Sequence, residues 1–117
     1  MQKYSNLDIW KKSYSLALQI YGITKDFPND EKFGLTSQLR RAAVSIPTNI
    51  AEGAGRATTK DFANFIQIAI GSSNEVECEL MLSKDLGYVG EDIFKTLFNQ
   101  VREIKIMMIY FRRTLLQ

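Results

Sequence analysis

Apolar residues recur every three or four positions in four segments of this 117-residue chain, and short breakers separate the segments. That period is typical of amphipathic α-helices, and no segment shows the strict alternation of a half-buried strand. The helices are predicted at about residues 7–26, 35–56, 59–86 and 91–115. Because short connections make neighbouring helices reverse direction, we predict a single all-α domain over residues 1–117, an antiparallel up-down-up-down four-helix bundle.

The first predicted helix carries two apolar rows. One row contains Leu7, Trp10, Tyr14, Ala17, Tyr21 and Thr24, and the other contains Leu16, Ile20, Ile23 and Phe27. An aromatic row at helical spacing is more often core than a stacking platform for a ligand, so we expect Trp10 and Tyr14 to be buried. Two rows, together with the apolar residues 104–111, exceed what one small bundle buries. We therefore predict a homo-oligomer.

The second predicted helix contains an unusual mixture of residues for a helix interior. Pro47 lies midway along it, and Asn49 and Glu52 lie near its apolar row. A buried carboxylate needs hydrogen-bond donors, and Ser72 of the third helix is a candidate partner if Gly71 brings the two backbones close. We interpret Asn49, Glu52 and Ser72 as a structural polar network. The alternative is a ligand pocket in which Glu52 acts as a buried base.

Four short motifs carry a resemblance that covers nearly the whole chain. They are Gln-Leu-Arg-Arg-Ala at 38–42, Ser-Ile-x-x-Asn-Ile-Ala-Glu-Gly at 45–53, Ile-Ala-x-Gly-Ser at 68–72 and Glu-x-Glu at 77–79. With them, the chain resembles the four-helix-bundle family named for 23S ribosomal RNA intervening sequences. Structures of similar proteins are rings of five, so the resemblance implies a homopentamer. It extends to the basic accessory proteins of diversity-generating retroelements, and these associations imply binding of RNA or DNA.

The residue inventory excludes several kinds of catalysis. The chain has no histidine, so the Glu-x-x-His motif of di-iron bundles and every histidine-based triad are impossible. Glu75, Glu77 and Glu79 are spaced two apart and do not share a helix face, which argues against a carboxylate metal site. Cys78 lies between two of these carboxylates, which oppose formation of a thiolate. We expect no metal, no cofactor and no catalytic residue.

Charge is segregated along the chain. Residues 1–60 carry nine Lys and Arg against five Asp and Glu, residues 61–92 carry one against seven, and residues 93–117 carry five against one. We interpret the segregation chiefly as attraction between neighbouring helices, and the alternative is a basic binding face.

The candidates for contact with an anion are Arg40, Arg41, Arg56 and Lys60, which we expect to line one region. Adjacent arginines on a helix point about 100° apart, so one of Arg40 and Arg41 is expected beside the core and the other in solvent. Phosphate contacts of this kind tolerate any base sequence.

A single cysteine forms no internal disulfide, and no apolar run approaches the roughly 20 residues of a membrane span. We therefore expect a cytoplasmic protein with no membrane partner. The functional hypothesis is a non-enzymatic oligomeric scaffold that binds RNA or DNA through basic surface patches. The alternative is a protein–protein adaptor without nucleic-acid binding, and a third hypothesis is an enzyme that uses a buried Glu52.

Overall fold

The computed structural model describes residues 3–117, which form four α-helices, two short 3-10 turns and no strand. The helices are α1 (Asp8–Thr24), α2 (Leu35–Ala54), α3 (Thr59–Asp85) and α4 (Glu91–Leu115). These bounds agree with the predicted ones within two residues, and the predicted all-α class with four helices is confirmed. Met1 and Gln2, where the predicted domain begins, lie outside the described residues.

Two side chains fix the ends of helices. Thr58 Oγ1 accepts a hydrogen bond from the Asp61 backbone N–H (3.1 Å), which satisfies one of the unpaired donors at the start of α3. Glu31 links two connections, because one carboxylate oxygen accepts from the Leu35 N–H (3.2 Å) and the other from the Tyr88 hydroxyl (2.9 Å). The loop before α2 is thereby held against the loop before α4.

The core is built from one apolar row on each helix. The helical period of α2 predicts a core row of six residues. All six are buried, namely Leu35, Leu39, Ala42, Ile46, Ile50 and Gly53. The period of α4 predicts a row of seven apolar residues, which are Phe94, Leu97, Val101, Ile104, Met108, Phe111 and Leu115. The buried residues of α4 are Leu97, Val101, Ile104 and Met108, and all four belong to that row. The helical period therefore located the core of these two helices correctly.

In α1 the prediction is only half right. Leu16 and Ile20 are fully buried, but Tyr14 and Tyr21 keep 48% and 42% of their surface exposed. The expectation that the aromatic row is core is therefore wrong for these two tyrosines. Tyr21 follows Ile20 directly and so points about 100° away from the centre of the bundle.

Helix α1 packs against α2 and α4, and α3 packs against the same two helices. Between α1 and α4, Gln19 and Gln100 exchange two side-chain hydrogen bonds (2.9 and 3.0 Å). Seven residues earlier in α1, Lys12 forms an ion pair with Glu103 (3.0 Å). Within the described part of the chain, α1 and α3 do not pack against each other.

Candidate functional site

An aromatic groove runs along the outer surface between α1 and α2, with a cavity of about 340 Å³. On the α1 side it is lined by Trp10, Tyr14, Leu18 and Tyr21, and α2 contributes Val44 among others. The Trp10 and Tyr14 rings stack with their centroids 4.7 Å apart and an interplanar angle of 26°. Aromatic surfaces of this kind carry much of the energy in protein interfaces when they are covered.

The groove is open to solvent although its lining is apolar. Leu18 is 60% exposed and lies between Tyr14 and Tyr21 on the same face of α1. Lys11 and Lys25 extend this row at each end with the same spacing of three or four residues, and both are exposed. The sequence could have indicated this exposed apolar row, since α1 has apolar residues on more of its circumference than a core-facing helix needs.

Ser45 joins two of the residues predicted to form a polar network. Its hydroxyl lies 2.8 Å from that of Ser72, and Asn49 Nδ2 donates to the Ser45 carbonyl oxygen (2.8 Å) and hydroxyl oxygen (2.9 Å). Asn49 and Ser72 are thus connected through Ser45. These contacts bind α2 to α3.

Glu52 does not belong to that network. Its side chain is 54% exposed, and its only ion pair among the described residues is with Arg56 (3.6 Å), one helical turn further along. The expectation of a buried Glu52 is therefore wrong. Gly53 is the residue of that turn that faces α3, so Glu52, one position earlier, points about 100° away.

The close approach of α2 to α3 occurs at Gly53 and not at Gly71. A Cβ atom on Gly53 would lie 2.7 Å from Phe65 Cβ and 2.8 Å from Phe62 Cδ1, distances that side chains do not tolerate. A Cβ atom on Gly71 would meet no atom within 4 Å. The predicted role of Gly71 in bringing the two backbones together is therefore wrong.

Two of the four predicted anion-binding residues are engaged within the protein. Arg40 is half-buried, its Nε donates to Thr24 Oγ1 (2.7 Å), and its guanidinium lies 4.7 Å from the Tyr21 ring centroid. Arg56 lies 4.6 Å from the centroid of the Phe65 ring. Arg41 is exposed, as expected for one of two adjacent arginines, and Lys60 is exposed as well.

The four cations do not form one patch. Arg40 and Arg41 lie in the first half of α2, whereas Arg56 and Lys60 follow its end, and a helix of 20 residues spans about 30 Å. Near Lys60 the structure adds Arg112, whose Nε donates to the Ala63 carbonyl oxygen (3.2 Å). The sequence does not show this contact, because Arg112 and Ala63 are 49 residues apart along the chain.

The acidic character of α3 is only partly balanced inside the molecule. Lys105 of α4 contacts the Glu77 carboxylate at 2.6 Å, the only ion pair of α3 with another helix among the described residues. Burial raises the pKa of Glu79 above its ordinary value, the Glu75 carboxylate raises that pKa further, and Arg41 opposes the shift. Charges on neighbouring helices therefore act on Glu77 and Glu79, whereas Glu75 makes no ion pair with another helix among the described residues.

The described residues hold no cluster of three or more acidic or cysteine side chains with metal-binding geometry. None of their helices is both long enough and apolar enough to span a membrane. The thiol of Cys78 is exposed on α3.

The fold and the groove define a class of four-helix protein with an exposed apolar groove. The chain belongs to the 23S rRNA-intervening sequence protein family, whose model matches residues 5–110. It is similar to the crystal structure of a protein with unknown function from the S23 ribosomal protein family of Bacteroides thetaiotaomicron, with a TM-score of 0.83 and 27% sequence identity. The match covers 89% of this chain and 97% of that one. No curated protein matches the chain.

Proposed function

We propose that this protein is a non-enzymatic, homo-oligomeric scaffold. The observation that carries the proposal is the aromatic groove, in which Tyr14, Leu18 and Tyr21 form a continuous exposed apolar row. Monomeric proteins rarely leave contiguous apolar surface in water, because covering such surface stabilises by about 25 cal/mol per Å². The resemblance stated above implies a homopentamer, and the groove offers each copy a surface for assembly.

The environment of Glu52 supports a role other than catalysis. A general base needs a pKa adjusted by burial or by charge and a position next to a bound substrate. Glu52 is exposed, and its carboxylate lies 3.6 Å from the Arg56 guanidinium on the surface of the helix. The five cavities described on the surface are lined by other residues.

We also propose that the described residues form one antiparallel up-down-up-down domain. The cross-helix pairs support this arrangement, because Lys12 meets Glu103 whereas the later Gln19 meets the earlier Gln100. Likewise Arg112, near the end of α4, contacts the start of α3, and Lys105, seven residues earlier, contacts Glu77 further along.

We further propose a cytoplasmic location. The exposed free cysteine Cys78 supports it, since unpaired thiols persist in reducing compartments.

Binding of RNA or DNA is the second candidate activity. It is supported by Lys60 and Arg113, which are exposed, and by Arg112 beside the first turns of α3. Repetition of a weak basic site around a homo-oligomer raises its effective affinity. Affinity for structured RNA and for duplex DNA is expected to fall steeply with salt and to decrease in Lys60→Ala. Absence of binding at low salt would favour a protein–protein adaptor.

Sedimentation velocity at micromolar concentration tests the scaffold proposal. We expect the wild-type chain to sediment as an oligomer and Leu18→Glu to sediment as a smaller species. Ile93→Glu is the matched control, because Ile93 is 50% exposed on α4 and lies outside both the groove and residues 104–111. A wild-type chain that remains monomeric contradicts the proposal.

A further inference from the structure

A second exposed row with apolar residues runs along the outer face of α3. The row contains five exposed residues spaced three or four apart, which are Ile68, Gly71, Glu75, Cys78 and Leu82. We call these five residues the outer strip. Ile68 is 52% exposed and Leu82 is 48% exposed, so neither is used by the core of its own chain. This spacing is that of a helix seam that packs against another element.

Gly71 is the one residue of the outer strip without a side chain, so the strip is flat at this position. A glycine inside a helix destabilises it by roughly 0.5–1 kcal/mol relative to alanine. Gly53 has an internal reason for this cost, since a side chain there would collide with Phe62 and Phe65. Gly71 has none, because nothing lies within 4 Å of its Cβ position. A flat position between exposed apolar residues fits the approach of an element from outside the chain.

The charges of the outer strip and of the aromatic groove indicate that each binds the other and not a copy of itself. Glu75 lies within the outer strip, and two outer strips packed against each other would bring two Glu75 side chains together. The aromatic groove is flanked by Lys11 and Lys25, which make no ion pair among the described residues. The strip and the groove are thus complementary in charge and are both apolar, whereas each is unsuited in charge to a copy of itself.

We infer that the outer strip of α3 docks into the aromatic groove of a second copy of this chain. The inference rests on the proposed scaffold function and names its contact. The groove lies between α1 and α2 and the strip lies on the exposed face of α3, so every copy carries one strip and one groove at separate places on its surface. Such a head-to-tail contact repeats from copy to copy and forms a closed ring or a filament.

A mixing experiment tests this geometry. Ile68→Glu disrupts the strip and Leu18→Glu disrupts the groove, and both residues are so exposed that the fold is expected to change little in stability. Each variant alone retains one intact surface and has no intact partner for it, so each is expected to be monomeric. When the two are mixed, the intact strip of one meets the intact groove of the other. We expect a one-to-one heterodimer by sedimentation or native mass spectrometry.

The outcomes separate the inference from the scaffold proposal. If the wild type is an oligomer and Ile68→Glu assembles normally, the outer strip is not the contact and the scaffold proposal survives. If both variants are monomers and their mixture also stays monomeric, a head-to-tail contact is excluded. If Ile93→Glu dissociates the oligomer as strongly as Ile68→Glu, the assignment to the strip is wrong. A monomeric wild type overturns the scaffold proposal itself.

Discussion

The two faces of α3 differ in whether a glycine beside them has a neighbour: Gly53 of α2 packs against the inner face, whereas Gly71 on the outer face packs against nothing described. On the inner face, Gly53 of α2 lies against Phe62 and Phe65, and Ser72 meets Ser45 at 2.8 Å. On the outer face, no atom of the described residues lies within 4 Å of the Gly71 Cβ position, and Ile68 is 52% exposed. Small and apolar residues that fit together inside one chain fix its fold, and the same residues left unmatched at the surface indicate a partner.

The largest expected effect is that of Gly53→Ala on the inner face. A methyl group there overlaps Phe62 and Phe65, so we expect a loss of about 1–3 kcal/mol in the free energy of unfolding. Urea denaturation measures the change. The control is the same substitution at Gly71, which meets no neighbour, and both substitutions are measured in the Leu18→Glu chain so that assembly does not contribute. Equal stability of wild type and Gly53→Ala would show that α2 and α3 are not in close contact at this point.

Ser45→Ala removes the hydroxyl that connects Asn49 and Ser72 across the two helices. We expect a loss of about 1 kcal/mol, because the net contribution of a hydrogen bond is of this size and Ser72 is buried. Thr48→Ala is a suitable control, since the Thr48 hydroxyl bonds only to the Val44 carbonyl oxygen of its own helix. If the two variants are equally stable, the contact between the helices contributes nothing measurable.

Gly71→Ala is expected to have the opposite sign to Gly53→Ala. In a monomer it should stabilise the fold by about 0.5–1 kcal/mol, since alanine favours a helix and no atom opposes the added methyl group. The free energy of unfolding is compared between Leu18→Glu and the double variant Leu18→Glu/Gly71→Ala, so that assembly does not contribute to stability. A destabilised Gly71→Ala monomer would mean that Gly71 has a role inside its own chain.

The smallest expected effect is the pH dependence of Glu79→Gln. The pKa of Glu79 is raised by burial and by Glu75, so protonation of Glu79 favours the folded state. That stabilisation is complete below the unfolded-state pKa and is lost as the pH rises through the higher folded-state pKa. At neutral pH, Glu79→Gln should therefore have a higher free energy of unfolding than wild type, by less than about 0.5 kcal/mol. In acid the two free energies of unfolding should be equal. Urea denaturation at both pH values measures them. A wild type that is the more stable at neutral pH would show that Arg41 dominates.

The sequence predicted the helices and most of the core because a single apolar row marks the inner face of α2 and of α4. It failed for α1, because tyrosines extend the apolar pattern around the helix and the period does not tell which row is inside. The position of Gly71 was open to prediction, since it lies two residues from the buried Ala69 and therefore points outward. Contacts such as Arg112 with Ala63 depend on packing between distant segments and left no local pattern.

The reactivity of Cys78 tests most directly whether the outer strip is covered in the assembly. The chain has one cysteine, and it lies exposed in that strip, so labelling with a neutral maleimide reports on one position. We predict slow labelling of the wild type at concentrations where it is assembled and fast labelling of Leu18→Glu. Leu18 lies on α1, which does not pack against α3, so a change in rate requires a second copy. Equal labelling rates in an assembled wild type and a monomeric variant would contradict the account.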